Sequence, residues 1–273
     1  MSNEKLTRDQ QREAARAKAK AMREAQKKNE GRKKLTIVIG SVVAGLGIIF
    51  GGIYIAVSQP NSVQPGENPS LAFNNGGFTV TKDLVLAKST SDIDKTVPTI
   101  VIYEDLQCPA CKAFELPNMP QITDLVKSGK YNLELHPIGM LDGFSANEYA
   151  SRAASAMVCV AEGAPASFLA YNSALYTNQP EENTAGPENE ALADLAASVG
   201  VQDSATLSCI KKATWANWTK NQVPAYKENI PGTNIKFGGT PTVIVNGQQY
   251  QGELNNAAMF LQWLQTVAPV TTN

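Results

Sequence analysis

The stretch Tyr103-Glu104-Asp105-Leu106-Gln107-Cys108-Pro109-Ala110-Cys111 decides the fold. It follows an apolar, β-branched run from Pro98 to Tyr103 and opens a segment that reads as helix from Cys111 onward. A C-x-x-C at a strand-to-helix junction is a redox motif with a mechanism. The helix N-terminus offers unpaired N–H groups and the positive end of the helix dipole, which stabilise a thiolate on the first cysteine. Pro109 suits the first helical turn, where its missing N–H costs nothing. Half of a four-cysteine zinc site is the competing reading, and it needs a second close-spaced pair. Cys159 and Cys209 stand far apart in the chain, so the pair reads as redox-active and no metal site is predicted.

The 273 residues, 43% hydrophobic, suffice for one sizeable core plus appendages. The net charge of −1 conceals an asymmetry. Residues 1–34 carry 12 basic and 5 acidic side chains, whereas the remainder carries 12 basic and 20 acidic ones. A cationic head on an acidic body reads as a membrane topology signal, and the body offers no surface for nucleic acid. Residues 4–34 favour a solvated helix or coil, a basic cytoplasmic tail with at most weak attraction to anionic headgroups.

Residues 35–57 contain no charge over 23 positions, enough for a helix to cross the hydrocarbon core. Arg32, Lys33 and Lys34 immediately precede them, which places the N-terminus in the cytoplasm and the rest outside. The length of the apolar run argues for an uncleaved anchor over a cleaved signal peptide. Residues 58–76 are polar and Pro/Asn-rich and read as a tether.

The folded domain is expected over 77–268, with an α/β pattern. Phe78–Leu86 and Thr99–Tyr103 read as strands. A helix follows Cys108 and ends near Gly129, with Pro117 and Pro120 expected to kink or interrupt it. Tyr131–Met140 is the next strand, completing a parallel strand–helix–strand unit. A helical insertion spans about 145–229. Ser145 and Glu148 are placed as a capping box for its first helix, and later segments fall near 165–177, 188–198, 204–211 and 213–228. Thr242–Val245, Asn246-Gly247 and Gln248–Gln251 form a hairpin. A last helix over 255–267 sets Met259, Phe260, Trp263, Leu264 and Val267 on one face.

With Cys108-Pro109-Ala110-Cys111 after a strand, a helical insertion, and Gly239-Thr240-Pro241-Thr242 before the hairpin, the chain resembles the membrane-anchored bacterial DsbA-like branch of the thioredoxin superfamily. The resemblance covers about Phe78 to Val267. It implies a thioredoxin fold with an inserted α-helical domain, here preceded by a single transmembrane helix. It implies catalysis by Cys108 and Cys111, with Thr240 and Pro241 as the cis-proline loop that faces them and holds substrate. No cofactor is implied. The implied partners are exported proteins with reduced cysteines and a quinone-linked membrane protein that re-oxidises the pair.

Two departures bear on the direction of electron flow. Ile102 occupies the position where relatives carry a buried acid, so proton transfer has no evident owner. Ala110 stands where the best-known motif has histidine, which implies a less stabilised thiolate and a less oxidising disulfide. An isomerase or reductase is therefore the alternative within the fold, and a metal-binding or chaperone module the alternative outside it. His136, the only histidine, reads as a satisfied residue at a strand end.

Cys159 and Cys209 fall in segments that read as helix, flanked by Met157, Val158 and Val160 and by Leu207 and Ile210. Both side chains should point into an apolar core and form a second, structural disulfide, with two small buried hydrophobes as the alternative. The topology is testable. The protein should resist carbonate extraction, and protease added outside wall-less cells should digest the domain but spare residues 1–34. A soluble domain with a new N-terminus near Ser58 would show a cleaved signal instead.

Overall fold

The computed structural model describes residues 67–225 and 227–269. The basic tail, the apolar stretch expected to span the membrane and the first part of the tether lie outside the described residues. Among the described residues no helix is long and apolar enough to cross a membrane.

Five strands form one sheet in the order β1-β3-β2-β4-β5. They are β1 (Phe78–Val80), β2 (Thr99–Glu104), β3 (Asn132–Pro137), β4 (Thr242–Val245) and β5 (Gln248–Gln249). β2 and β3 pair in parallel across α1 (Pro109–Lys127), and the other pairings are antiparallel. Every residue of β3 and β4 is buried, as expected of strands covered on both faces. β1 is shorter than its sequence suggested. Leu84 adopts a positive φ of 59° and donates its N–H to the Thr81 carbonyl, so the chain reverses at Lys82-Asp83 and only Leu86 returns to pair with Val80.

Between β3 and β4 lie five helices: α2 (Tyr149–Gly163), α3 (Phe168–Thr177), α4 (Asn189–Ser198), α5 (Ser204–Lys211) and α6 (Ala216–Asn221). α2 is nearly all small or apolar and wholly buried from Ala153 to Ala161, the central post of the insertion. α7 (Ala257–Val267) closes the chain. It docks on α1 through Phe260, whose ring meets that of Phe114 edge-on at 5.1 Å. Burying Phe260 and Leu264 contributes roughly 1.5–3 kcal/mol for each side chain. Met259, expected on that face, is 38% exposed.

Three local expectations need correction. α1 runs unbroken through Pro117 and Pro120. The carbonyls that lose their donors belong to Ala113 and Leu116, both exposed residues, so water can replace the missing bonds. Ser145 and Glu148 do not form a reciprocal capping box. Ser145 Oγ accepts from the Tyr149 N–H at 2.8 Å, while Glu148 turns left-handed (φ 55°) and sends its carboxylate to Lys220. Finally, α6 is far shorter than 213–228. Ala213 has φ 46° and closes α5 with bonds from its own N–H and that of Thr214, and Pro224 stops any extension.

A Cys159–Cys209 disulfide joins α2 to α5. Closing a loop of 50 residues stabilises by at most ~4 kcal/mol in the chain-entropy model. Mild reduction that opens only Cys108–Cys111, followed by unfolding, should expose two reactive thiols. Four would mean that no protected second bridge persists in solution.

Candidate active site

The site grows out of the turn between β2 and α1. Asp105 builds that turn: its carboxylate accepts the Gln107 N–H at 2.8 Å and, across the sheet end, those of Met140 and Leu141 at 2.8 and 2.9 Å. Its carbonyl accepts the Cys108 N–H at 3.0 Å. Cys108 is then the N-cap residue, in extended conformation, and Pro109 begins the helix. The Cys108 carbonyl takes the first helical bond from Lys112. From the insertion, Gln179 Nε2 donates to the Leu106 and Cys108 carbonyls at 2.9 and 3.0 Å.

Both thiols are free, with Cys108 6% and Cys111 2% exposed. Cys108 Sγ lies 3.3 Å from the Thr240 carbonyl oxygen, to which it donates while protonated, and the Thr240–Pro241 peptide is cis. The Asp105 N–H points at Cys111 Sγ from 3.5 Å. A hydrogen bond from the Cys111 thiol is the largest influence on Cys108 and lowers its pKa to about 6, against the opposing effect of burial. The Cys111 and Ala110 N–H groups lower it further. Cys111 moves the other way. Burial, then its hydrogen bond to Cys108 and the charge on Cys108, hold its pKa well above the usual thiol value. One sulfur is therefore ionised at neutral pH and the other keeps its proton.

Beneath the pair lie three buried acids. Tyr176 donates its hydroxyl to Glu104 Oε2 at 3.2 Å, and Asn172 donates to Glu115 Oε1 at 2.9 Å. Glu104 Oε1 and Glu115 Oε2 have no partner. Burial pushes both carboxyls well above the ordinary range, with the Asp105 charge raising Glu104 and the Glu104 charge raising Glu115, so the two hold at least one proton at neutral pH. Burial lifts Asp105 to about 7, despite its three N–H donors, and the Cys108 charge adds to the rise. Ile102 itself is buried in the core.

The structure brings Cys108, Pro109, Ala110, Cys111, Thr240 and Pro241 to one place. His136 lies elsewhere: it stacks on Tyr103 with ring centroids 4.1 Å apart and bonds Glu134 at 2.8 Å. Sequence reasoning missed Glu115, Asn172, Tyr176 and Gln179. For Glu115 a signal existed. It lies four residues after Cys111 on the buried face that includes Phe114, Asn118, Ile122 and Val126, where a charge has no solvent.

A family model described as thioredoxin matches residues 94–265. No curated protein matches the chain. Among solved structures, the reduced form of the disulfide bond oxidoreductase DsbG from Mycobacterium tuberculosis is 26% identical, with a TM-score of 0.57 over 72% of this chain and 89% of that one. Reduced DsbA from the same organism is 27% identical, with a TM-score of 0.57 over 70% of this chain and 91% of that one. MdbA from Actinomyces oris, 21% identical over 75% of this chain and 95% of that one, shares the fold with a TM-score of 0.56. The chain belongs to the thioredoxin family, as a thioredoxin fold with an inserted helical subdomain. Within it, the protein is a DsbA-like thiol-disulfide oxidoreductase with Cys108–Cys111 as the candidate redox pair.

The buried acids give stability a definite pH dependence. A carboxyl with a raised folded pKa keeps a proton that the unfolded chain has lost, so the fold loses stability as the pH climbs past the ordinary carboxyl range. Denaturant unfolding of the oxidised protein between about pH 5 and pH 8 should show that decline, and Glu104→Gln should flatten it. Parallel lines for variant and parent would mean that Glu104 is ionised in the folded protein.

Proposed function

We propose that this protein oxidises thiol pairs in exported proteins from a membrane-anchored position outside the cytoplasm, with Cys108 as the attacked sulfur and Cys111 as its resolving partner. The split between the two thiols carries this reading, because a stabilised Cys108 thiolate makes a good leaving group. The relatives described as disulfide bond oxidoreductase and DsbA support it.

A substrate thiolate attacks Cys108 Sγ of the disulfide. The new S–S bond forms as the Cys108–Cys111 bond breaks, and Cys111 leaves as a thiolate. Its high proton affinity draws a proton, and the buried protonated carboxyls around the pair are a store for it. The substrate's second thiolate then attacks the substrate sulfur of the mixed disulfide and expels Cys108 as a thiolate. Two electrons have passed to the protein, and a quinone-linked membrane partner removes them. The Thr240-Pro241 backbone holds the substrate in extended form beside Cys108, as strand addition does. Ala110 supplies no charge to the thiolate, which keeps reductase or isomerase activity as the second reading. The reduction potential against glutathione separates the two.

In the reduced protein a single thiol, Cys108, should react fast with an alkylating agent, with a midpoint near pH 6. Cys108→Ser should abolish oxidation of a reduced model substrate, whereas Cys111→Ser should accumulate mixed disulfides with clients. Oxidation by the Cys108→Ser protein would reassign the attacked sulfur.

A further inference from the structure

We propose that Gln179 is a positioning residue for Cys108: it reaches from the helical insertion and fixes the Leu106–Gln107 and Cys108–Pro109 peptide groups of the turn that carries the nucleophile. The inference rests on the reading of Cys108 as the attacked sulfur. One amide nitrogen uses both of its hydrogens, one on the Leu106 carbonyl at 2.9 Å and one on the Cys108 carbonyl at 3.0 Å. The second contact falls on the Cys108–Pro109 peptide, which has no N–H of its own. Its carbonyl is the one polar handle of that plane, and it is held by Gln179 together with the first helical bond from the Lys112 N–H. The N–H groups that follow, of Ala110 and Cys111, are those that act on the Cys108 sulfur. Rotating the plane would turn them away.

Gln179 is itself held in place. Asn178 closes the end of α3 with bonds from its N–H and its side chain to the Ala174 carbonyl. The Gln179 N–H donates to the Tyr176 carbonyl, and Pro180 follows it. Three residues earlier, the Tyr176 hydroxyl lies 3.4 Å from the Asp105 carbonyl. The end of α3 thus grips the whole β2–α1 turn, and a glutamine there presents two donors without adding a charge near the thiolate. The other titratable groups around the sulfur are Cys111 on α1 and Asp105 in the turn, with Glu104 and Glu115 deeper.

Gln179→Met preserves length and bulk and removes both donors. Alkylation of the reduced protein across pH should show the Cys108 midpoint raised by about 0.5 unit or more, roughly a threefold loss of thiolate below the midpoint. Thr177→Val, which touches the same helix end but not the clamp, should leave the midpoint in place. The melting temperature of the oxidised forms separates a loosened fold from a mispositioned nucleophile. If the methionine variant does not fold, Gln179→Leu, which also removes both donors and adds no charge, is read instead. An unmoved midpoint in either folded variant overturns the assignment of Gln179. A parent protein with no titration attributable to Cys108 overturns the reading of the nucleophile instead.

Discussion

Cys108 must carry a negative charge in a nearly closed site without a cation to balance it. None of the groups that lower its pKa bears a positive charge: foremost are a thiol and two backbone N–H groups. Dipoles act only when they are aimed, so the demand on the fold is orientation. The Asp105 carboxylate is what meets it, tying the turn after β2 to the turn after β3 through three N–H bonds. Each such bond contributes only about 1.5–3 kcal/mol when the acceptor is charged. Together they leave the start of α1 one place to begin.

The same constraint explains why acids, rather than bases, lie under the pair. A buried lysine or arginine there would stabilise the thiolate but would also hold Cys111 ionised, and the two sulfurs would no longer differ. Protonated carboxyls are neutral and leave the two sulfurs their difference. Their orphan oxygens, Glu104 Oε1 and Glu115 Oε2, are the cost of burying them.

Much of this is legible in the chain. The C-x-x-C after an apolar run, the parallel unit and the Asn246-Gly247 turn, with φ of 50° and 72°, are local patterns with local causes. α5 falls on the residues its periodicity marks, opened by Asp203 capping the Thr206 N–H at 2.8 Å. What fails to show depends on distant partners. Pro117 and Pro120 look like breakers until the exposed face of α1 is known. Ala213 carries no sign of a left-handed turn, because the bonds that impose it come from the end of α5. Gln179 looks like an ordinary loop residue until folding brings it across 71 positions to the Cys108 carbonyl. Ile102 brings no acid to the core, and Glu104 and Glu115 supply the buried carboxyls in its stead.

The opposed shifts of the two sulfurs make the redox balance itself depend on protons. Below the Cys108 pKa of about 6, reduction of the disulfide takes up two protons with two electrons; above it, only Cys111 takes one. The reduced state gains stability as the pH rises past that value, because the unfolded chain still holds the proton that folded Cys108 has released. The buried acids pull the other way in both redox states. Over neutral pH the two effects oppose each other in the reduced protein and only the acids act in the oxidised one. The pH dependence of stability should therefore be flatter in the reduced protein, a consequence of placing a thiolate and protonated carboxyls in the same core.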